Sequence, residues 1–358
     1  MALDIYTPHD LYAVMYDDRQ TVSTSQWLDM FFPNSFFSTQ EEILFDKIAS
    51  TRKIAPFMLP NESGRPIYKR EGERIQSFKP AYTKPKDAVR PAEMLALQPG
   101  ELAGRMGLMT PQGRYDAEVV RITQYQRNAI NRLWDYMAAK AVIDGAITVN
   151  YATDSGAPGQ SVVIDFGRDA GHTISLSGTA EWGDAGVSIM GGIQTWVDLI
   201  ANAEFGGSAR DVILAPGAAA LFMADAEIKE LLNTDYRGSE DVHINRSIIR
   251  TDPMNPFTYL GTLGSGIRVW RYVGSFMNND GTTTNVMGNH DCVVAAPNVD
   301  GVKAFGAILD VAAGIQAADI FVKMWDQEDP SARFIMSQSA PLMIPANPNC
   351  TLKATVKQ

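Results

Sequence analysis

The stretch PQGRYDAEVVRITQYQRNAINRLWDYMAAKAVID, residues 111–144, reads as one uninterrupted helix, and the rest of the chain is arranged around it. Thr110 can cap its first turn, Pro111 suits the first helical position because its missing N–H is an orphan there anyway, and Gly145 marks the end. Apolar residues return with a helical period at Tyr115, Val119, Ile122, Ile130, Leu133, Trp134, Met137, Ala141 and Val142. Arg121, Gln124, Arg127, Asn128, Arg132 and Asp135 fall between them, which predicts one buried stripe and one wet face. Such a helix spans roughly 50 Å at 1.5 Å per residue, several times the usual three turns. It is a strut, with Val119, Ile122, Ile130, Leu133, Trp134 and Met137 as its expected core.

The 358 residues, 45% of them hydrophobic, suffice for a sizeable core divided over two or three lobes. With 31 Lys and Arg against 41 Asp and Glu, the net charge is -10, which argues against a protein that grips nucleic acid over most of its surface. Two cysteines, Cys292 and Cys350, do not make a disulfide framework and fit a reducing compartment. No secretory signal pattern opens the chain and no apolar run is long enough to cross a bilayer, so a soluble protein made in a cytoplasm is expected.

Before the strut, residues 1 to about 45 carry Trp27, Phe31, Phe32, Phe36 and Phe37 without a sustained period. They read either as an arm that buries its aromatics elsewhere or as an N-terminal layer of the same domain. Residues 60–104 are rich in proline and charge and read as an extended two-stranded excursion. Its Arg65, Lys69, Arg70, Arg74, Lys79, Lys84, Lys86 and Arg90 outnumber its acids, which suits either a solvated face or a reach to a neighbouring acidic subunit. After the strut come a hairpin (Ile147 to Asn150, Ser161 to Phe166) and an α/β-looking lobe. That lobe has helices from Val187 to Phe205 and from Pro216 to about Asn233, and strands at Asp211 to Ala215, Ile267 to Val273 and Cys292 to Ala296. The apolar C-terminal stretch, ending in the alternating Leu352 to Val356, is expected to dock beside the strut.

Catalytic and cofactor motifs are missing: there is no phosphate loop, no nucleophile elbow, no paired-histidine metal motif and no dinucleotide glycine spacing. Asn289-His290-Asp291-Cys292 is the one local cluster with chemical content, because a thiolate needs an imidazole within reach. Cys292 also opens an apolar run, and a buried small hydrophobe is the simpler reading. No catalytic residue, cofactor or metal site is expected.

Asp329-Pro330-Ser331-Ala332-Arg333-Phe334-Ile335-Met336-Ser337-Gln338-Ser339-Ala340-Pro341-Leu342-Met343 closely resembles the ending of the phage lambda major capsid protein family. The resemblance extends upstream in order, through Gly178-Thr179-Ala180-Glu181-Trp182 and Leu221-Phe222, to Phe78-Lys79-Pro80-Ala81-Tyr82-Thr83-Lys84-Pro85-Lys86. It implies an α+β fold of HK97 type: an N-terminal arm (1–50), an E-loop region (51–108), a peripheral domain with spine helix and hairpin (109–180), an axial domain (181–325) and a C-terminal return to the peripheral domain (326–358). The reading of the residues gave arm, excursion, strut and lobe in the same order.

The function so implied is a major capsid protein of a tailed bacteriophage, made in the host bacterial cytoplasm and assembled as hexamers and pentamers into an icosahedral head, the virion capsid. The implied partners are a separate scaffolding protein, a decoration protein at the three-fold positions, and packaged double-stranded DNA held without tight binding, with no membrane. The chain looks too short to carry a fused scaffold. Two alternatives are an encapsulin-like compartment, distinguished by the absence of nucleic acid inside purified shells, and a hydrolase using Cys292 and His290, distinguished by thiol labelling.

Overall fold

A computed structural model describes residues 6–16, 26–40, 42–47, 74–91, 110–152, 158–229, 256–263, 266–277, 281–314, 316–329 and 331–358. The labelled helices are α1 Pro8–Met15, α2 Gln26–Phe31, α3 Pro111–Asp144, α4 Ile189–Asn202 and α5 Pro216–Ala224. The labelled strands begin with β1 Asn34–Phe37, β2 Ile43–Lys47, β3 Arg74–Phe78, β4 Lys86–Val89, β5 Ala146–Ala152, β6 Pro158–Asp165, β7 Thr173–Ser175, β8 Asp211–Leu214 and β9 Phe257–Leu263. They continue with β10 Ile267–Tyr272, β11 Ser275–Met277, β12 Thr283–Asn285, β13 Asp291–Ala295, β14 Val302–Phe305, β15 Phe321–Gln327, β16 Ala332–Gln338, β17 Pro341–Ile344 and β18 Thr351–Thr355.

Local chemistry sets both ends of α3. The Thr110 hydroxyl accepts from the Gly113 N–H at 3.1 Å, Pro111 occupies the first turn, and Gly145 turns left-handed with φ 69°. Between these ends the helix serves two hydrophobic cores. Tyr115, Val119 and Ile130 pack with Leu11 and Met15 of α1, Val89 of β4, Val322 of β15 and Ile335 of β16. Met137 to Ala139 and Ala141 to Ile143 join a larger core that contains Trp27, Phe31 and Phe32 and runs on into the second lobe. Trp134 packs against both cores, with its ring edge-on to Phe305 at 5.1 Å.

The polar face of α3 is drier than its sequence suggests. Gln126 is buried and forms a polar pin: its amide donates to Asp87 Oδ2 (2.7 Å) and the Ile335 carbonyl (3.2 Å), and its oxygen accepts from Ser337 Oγ (2.7 Å). Asp135, expected on the wet face, instead lies under α2 and accepts from the Trp27 and Leu28 N–H groups at 3.0 and 3.4 Å. An arm helix covers it because the first turn of α2 needs an acceptor for its orphan N–H groups. The arm therefore forms a layer of the chain's own core, with Trp27 and Phe32 fully buried, while Phe36 and Phe37 remain exposed.

Three strands, β15-β16-β4, cover the first half of α3, and β1-β14-β17 form another sheet, whose Leu342, Met343 and Ile344 are core residues. The second lobe holds a six-stranded sheet in the order β7-β18-β13-β8-β10-β9. Helix α4 buries Ile189, Ile193, Trp196 and Ile200 at helical spacing, and α5 buries Ala218, Ala219 and Phe222. The helix expected to reach about Asn233 stops at Ala224. Asp225 adopts extended backbone there, and its carboxylate accepts from the Ile228 N–H, opening a new helical turn over 226–229. The C-terminal stretch is split between lobes: β16 and β17 lie on the strut side, whereas β18 enters the six-stranded sheet.

Trp134 spans both cores, so Trp134→Ala is expected to lower stability by about 3 kcal/mol, the lower end for a large aromatic because the ring is not wholly covered. Among the described residues its buried Nε1 has no hydrogen-bond partner, so Trp134→Phe should stay within about 1 kcal/mol of wild type. Urea unfolding midpoints check both, and an unchanged midpoint for the alanine variant would mean that the ring does not join the cores.

Candidate assembly interface

The two lobes meet at the C-terminal end of α3, where Arg168, just after β6, folds back over the helix end. Its guanidinium donates to the carbonyls of Val142 (3.2 Å) and Ile143 (2.9 Å), two of the acceptors a helix leaves unpaired, and to the hydroxyls of Thr351 (3.4 Å) and Thr173 (3.0 Å). A Cβ at Gly145 would lie 2.9 Å from Arg168, and the positive φ there disfavours other residues as well. Next to it Asp144 takes Lys140 at 3.1 Å and Lys353 of β18 at 2.9 Å, and Lys353 also reaches Asp291 of β13 at 3.3 Å. Burial acts to raise the Asp144 carboxyl, but the two lysines outweigh it and hold it below its ordinary value. For Lys353 burial acts downward and the two carboxylates more than offset it. This joint fixes the helix to two neighbouring strands of the six-stranded sheet.

On that rigid frame sit surfaces that one copy leaves open. Strand β1 is the edge of its sheet and exposes Phe36 and Phe37 with no charged residue along it. An exposed apolar edge without charge is a ready template for pairing with another chain. The hairpin β5–β6 exposes Tyr151, Val162 and Val163, and the loop after β14 exposes Leu309 and Val311, the latter at 92%. These are properties of a surface made for contact rather than of a pocket made for a small molecule.

Of the basic residues expected on the excursion, Arg65, Lys69 and Arg70 lie outside the described residues. Arg74 is in β3, which pairs with β2. Lys79, Lys84, Lys86 and Arg90 are exposed. Lys84 lies between the Thr83–Ser339 bridge and β4, and Lys86 is the first residue of that strand. Lys84 lies 4.6 Å over the Tyr82 ring, and Lys86 stands on β4, 4.3 Å over Phe334 of β16. Lys86, Phe334, Trp325 and Lys323 thus share the outer face of the β15-β16-β4 sheet, a feature the sequence pattern did not reveal. On the strut, Val119, Ile130 and Met137 are buried, and Ile122, Leu133 and Trp134 are half-buried against the cores.

The Cys292–His290 pair loses its geometric support. Cys292 is fully buried within β13 and burial pushes its thiol well above the usual range, the opposite of an activated nucleophile, while His290 sits in the preceding turn. His172 is buried with Nδ1 at 3.0 Å from the Thr351 carbonyl. Among the described residues no group of three or more His, Cys, Asp or Glu could hold a metal ion, and no helix is long and apolar enough to cross a membrane.

The sequence profile of the family described as phage major capsid protein E matches residues 19–356. The major capsid protein of Escherichia phage N15 is 28% identical over 97% of this chain and 98% of its own length. That of Escherichia phage lambda is 27% identical over the same shares. A crystal structure described as a prophage capsid protein of E. coli CFT073 superposes with a TM-score of 0.70, covering 99% of each chain at 19% identity.

Arg168→Met is expected to cost about 2–3 kcal/mol, since it strips a charged donor from two helix-end carbonyls. Asp144→Asn should destabilise at neutral pH, and its cost should vanish in acid. A carboxyl held below its ordinary value of 3.8 stabilises above that value, and the contribution is lost as pH falls through the depressed one. Urea midpoints for both variants followed from pH 7 down through the acid range check this, and an Asp144→Asn cost that did not shrink as pH fell below 3.8 would remove the joint as its cause.

Proposed function

The chain belongs to the phage major capsid protein E family, and on that premise we propose how its surfaces build a shell. Its role is that of the major capsid subunit of a tailed phage, and its fold is the α+β capsid fold of HK97 type. The observation that carries this is the match in sequence, from residue 19 to residue 356 and at 97% coverage, to capsid proteins of tailed phages. The same match favours a DNA-enclosing head over an encapsulin-like compartment.

A shell of many identical copies needs repeated contacts, each weak enough to be corrected before the lattice locks. In our reading the apolar edge of β1, the β5–β6 hairpin and the basic residues Lys79, Lys84, Lys86 and Arg90, with Arg65, Lys69, Arg70 and Arg74, meet neighbouring copies in hexamers and pentamers. Charge supports this: a chain of net charge -10 presents acidic surface for its neighbours' lysines and arginines. The same negative balance leaves packaged DNA loosely held and free to leave. The divisions 1–50, 51–108, 109–180, 181–325 and 326–358 serve as arm, E-loop region, peripheral domain, axial domain and return. A separate scaffolding protein guides assembly in the host cytoplasm, a decoration protein clamps the three-fold positions, and the subunit catalyses no reaction.

Expressed alone, the protein is expected to form shells, tubes or capsomers visible by sedimentation and electron microscopy. A monodisperse monomer at high concentration would overturn the assembly reading. Mature particles boiled in detergent should release the chain at its monomer mass of 39.2 kDa beside a small second protein in comparable copy number. A ladder of covalent multimers without a second protein would show that the shell is welded instead.

A further inference from the structure

One sector of α3 stays open among the described residues. Arg114, Arg121, Tyr125, Asn128 and Arg132 fall within about 60° of one another around the helix axis, because steps of seven and eleven residues nearly complete whole turns at 3.6 residues per turn. The side chain of Arg121 is 70% exposed, Tyr125 is 66% exposed, Arg132 is exposed, and Arg114 and Asn128 are half-buried. The other sectors of the helix are taken. Tyr6, just before α1, donates to Asp116 at 2.7 Å, Arg127 donates to the Met15 carbonyl at the end of α1, Gln126 meets β4 and β16, and Asp135 lies under α2. From Arg114 to Arg132 the open stripe runs about 27 Å at 1.5 Å per residue.

Its chemistry is that of a surface for a polyanion. In a chain of net charge -10 the stripe gathers three guanidinium groups, a phenol hydroxyl and a side-chain amide. Glu118, buried at its margin, pairs with Arg121 at 2.6 Å and offsets one of the three charges. A partner helix would need an apolar seam to pack along, and no aliphatic side chain stands in the stripe. A phosphate backbone needs only cations and hydrogen-bond donors. The far side of the same layer is different: on the outer face of the β15-β16-β4 sheet Trp325 and Phe334 stack at 5.6 Å, while Val322 and Ile335 of the same strands point to α3. An aromatic face of that kind suits contact with protein.

We propose that this stripe is where the subunit touches the phosphate backbone of enclosed duplex DNA, and that the open sector of α3 therefore lines the inside of the shell. The inference rests on the DNA-enclosing role stated above. Arg121 and Arg132 offer planar forks of N–H donors that match phosphate oxygens, and Tyr125 and Asn128 between them donate singly. None of these contacts reads a base, so any sequence is accepted. Duplex DNA carries one charge per about 1.7 Å of its axis, more than three guanidiniums can neutralise along the stripe. Each copy thus makes few contacts, which pass from one phosphate to the next, while the acidic balance of the rest of the chain adds no further grip.

Phenylglyoxal labelling of the wild-type protein, read by mass spectrometry, tests this in DNA-filled particles and in particles that have released their DNA. Arg121 and Arg132 should be protected in the filled particles and reactive in the emptied ones. Equal reactivity in both would overturn the proposal, and protection in both would overturn it by showing that protein covers the stripe. A second measurement uses unassembled full-length protein and a mixed-sequence DNA duplex, with affinity followed against salt. Arg121→Gln and Arg132→Gln should each lower the magnitude of the log–log slope by about 0.9, and a slope that neither variant changes would overturn the contact. If no particles form, it is the capsid reading that fails, and the slope still decides the stripe.

Discussion

The packing of this molecule depends on one constraint: a 34-residue helix has too much side-chain surface for a single layer to cover. One face of each half must therefore be dried by different partners. The first half is covered by α1 and the β15-β16-β4 sheet, the second by α2, β17 and the larger core. Since one rigid element belongs to both cores, neither lobe can shift along the helix without opening the other. The Gln126 pin and the Arg168 clamp add direction to this, because hydrogen bonds demand a specific rotation of the helix that apolar contact alone does not.

Much of this was legible wherever the signal is local. Thr110, Pro111 and Gly145 delimit α3 because caps and left-handed turns are decided within a few residues. The apolar runs that became β8, β13, β17 and β18 were equally plain, since buried strands need little beyond their own side chains. What failed was long-range. The partners of Gln126 lie 39 and 211 positions away and those of Asp135 more than 100, so no periodicity distinguishes these residues from solvated ones. The same limit holds at the candidate interface: Lys86 looks like a loop charge until β4 is seen paired with β16.

The charged groups along α3 act in opposite senses. Asp144 is held low by two lysines and ties the helix to the sheet, whereas Asp135 meets no cation among the described residues and burial under α2 raises its carboxyl. The contrast follows from environment rather than residue type: burial works to raise both carboxyls, and only the one supplied with positive partners overcomes it. Attachment of the strut to the second lobe and attachment of the arm to the strut are thus governed by separate chemistry only a few turns apart.

Strand β18 has a consequence for how the molecule is born. It lies inside the six-stranded sheet, hydrogen-bonded to β13 on one side and β7 on the other, yet it is the last strand of that sheet to leave the ribosome. While it is still in the exit tunnel, β13 presents an open edge and β7 has no neighbour, so the lobe cannot close. An unfinished copy therefore carries an incomplete sheet, and the lobe closes only once residues 351–355 are free to enter between β13 and β7.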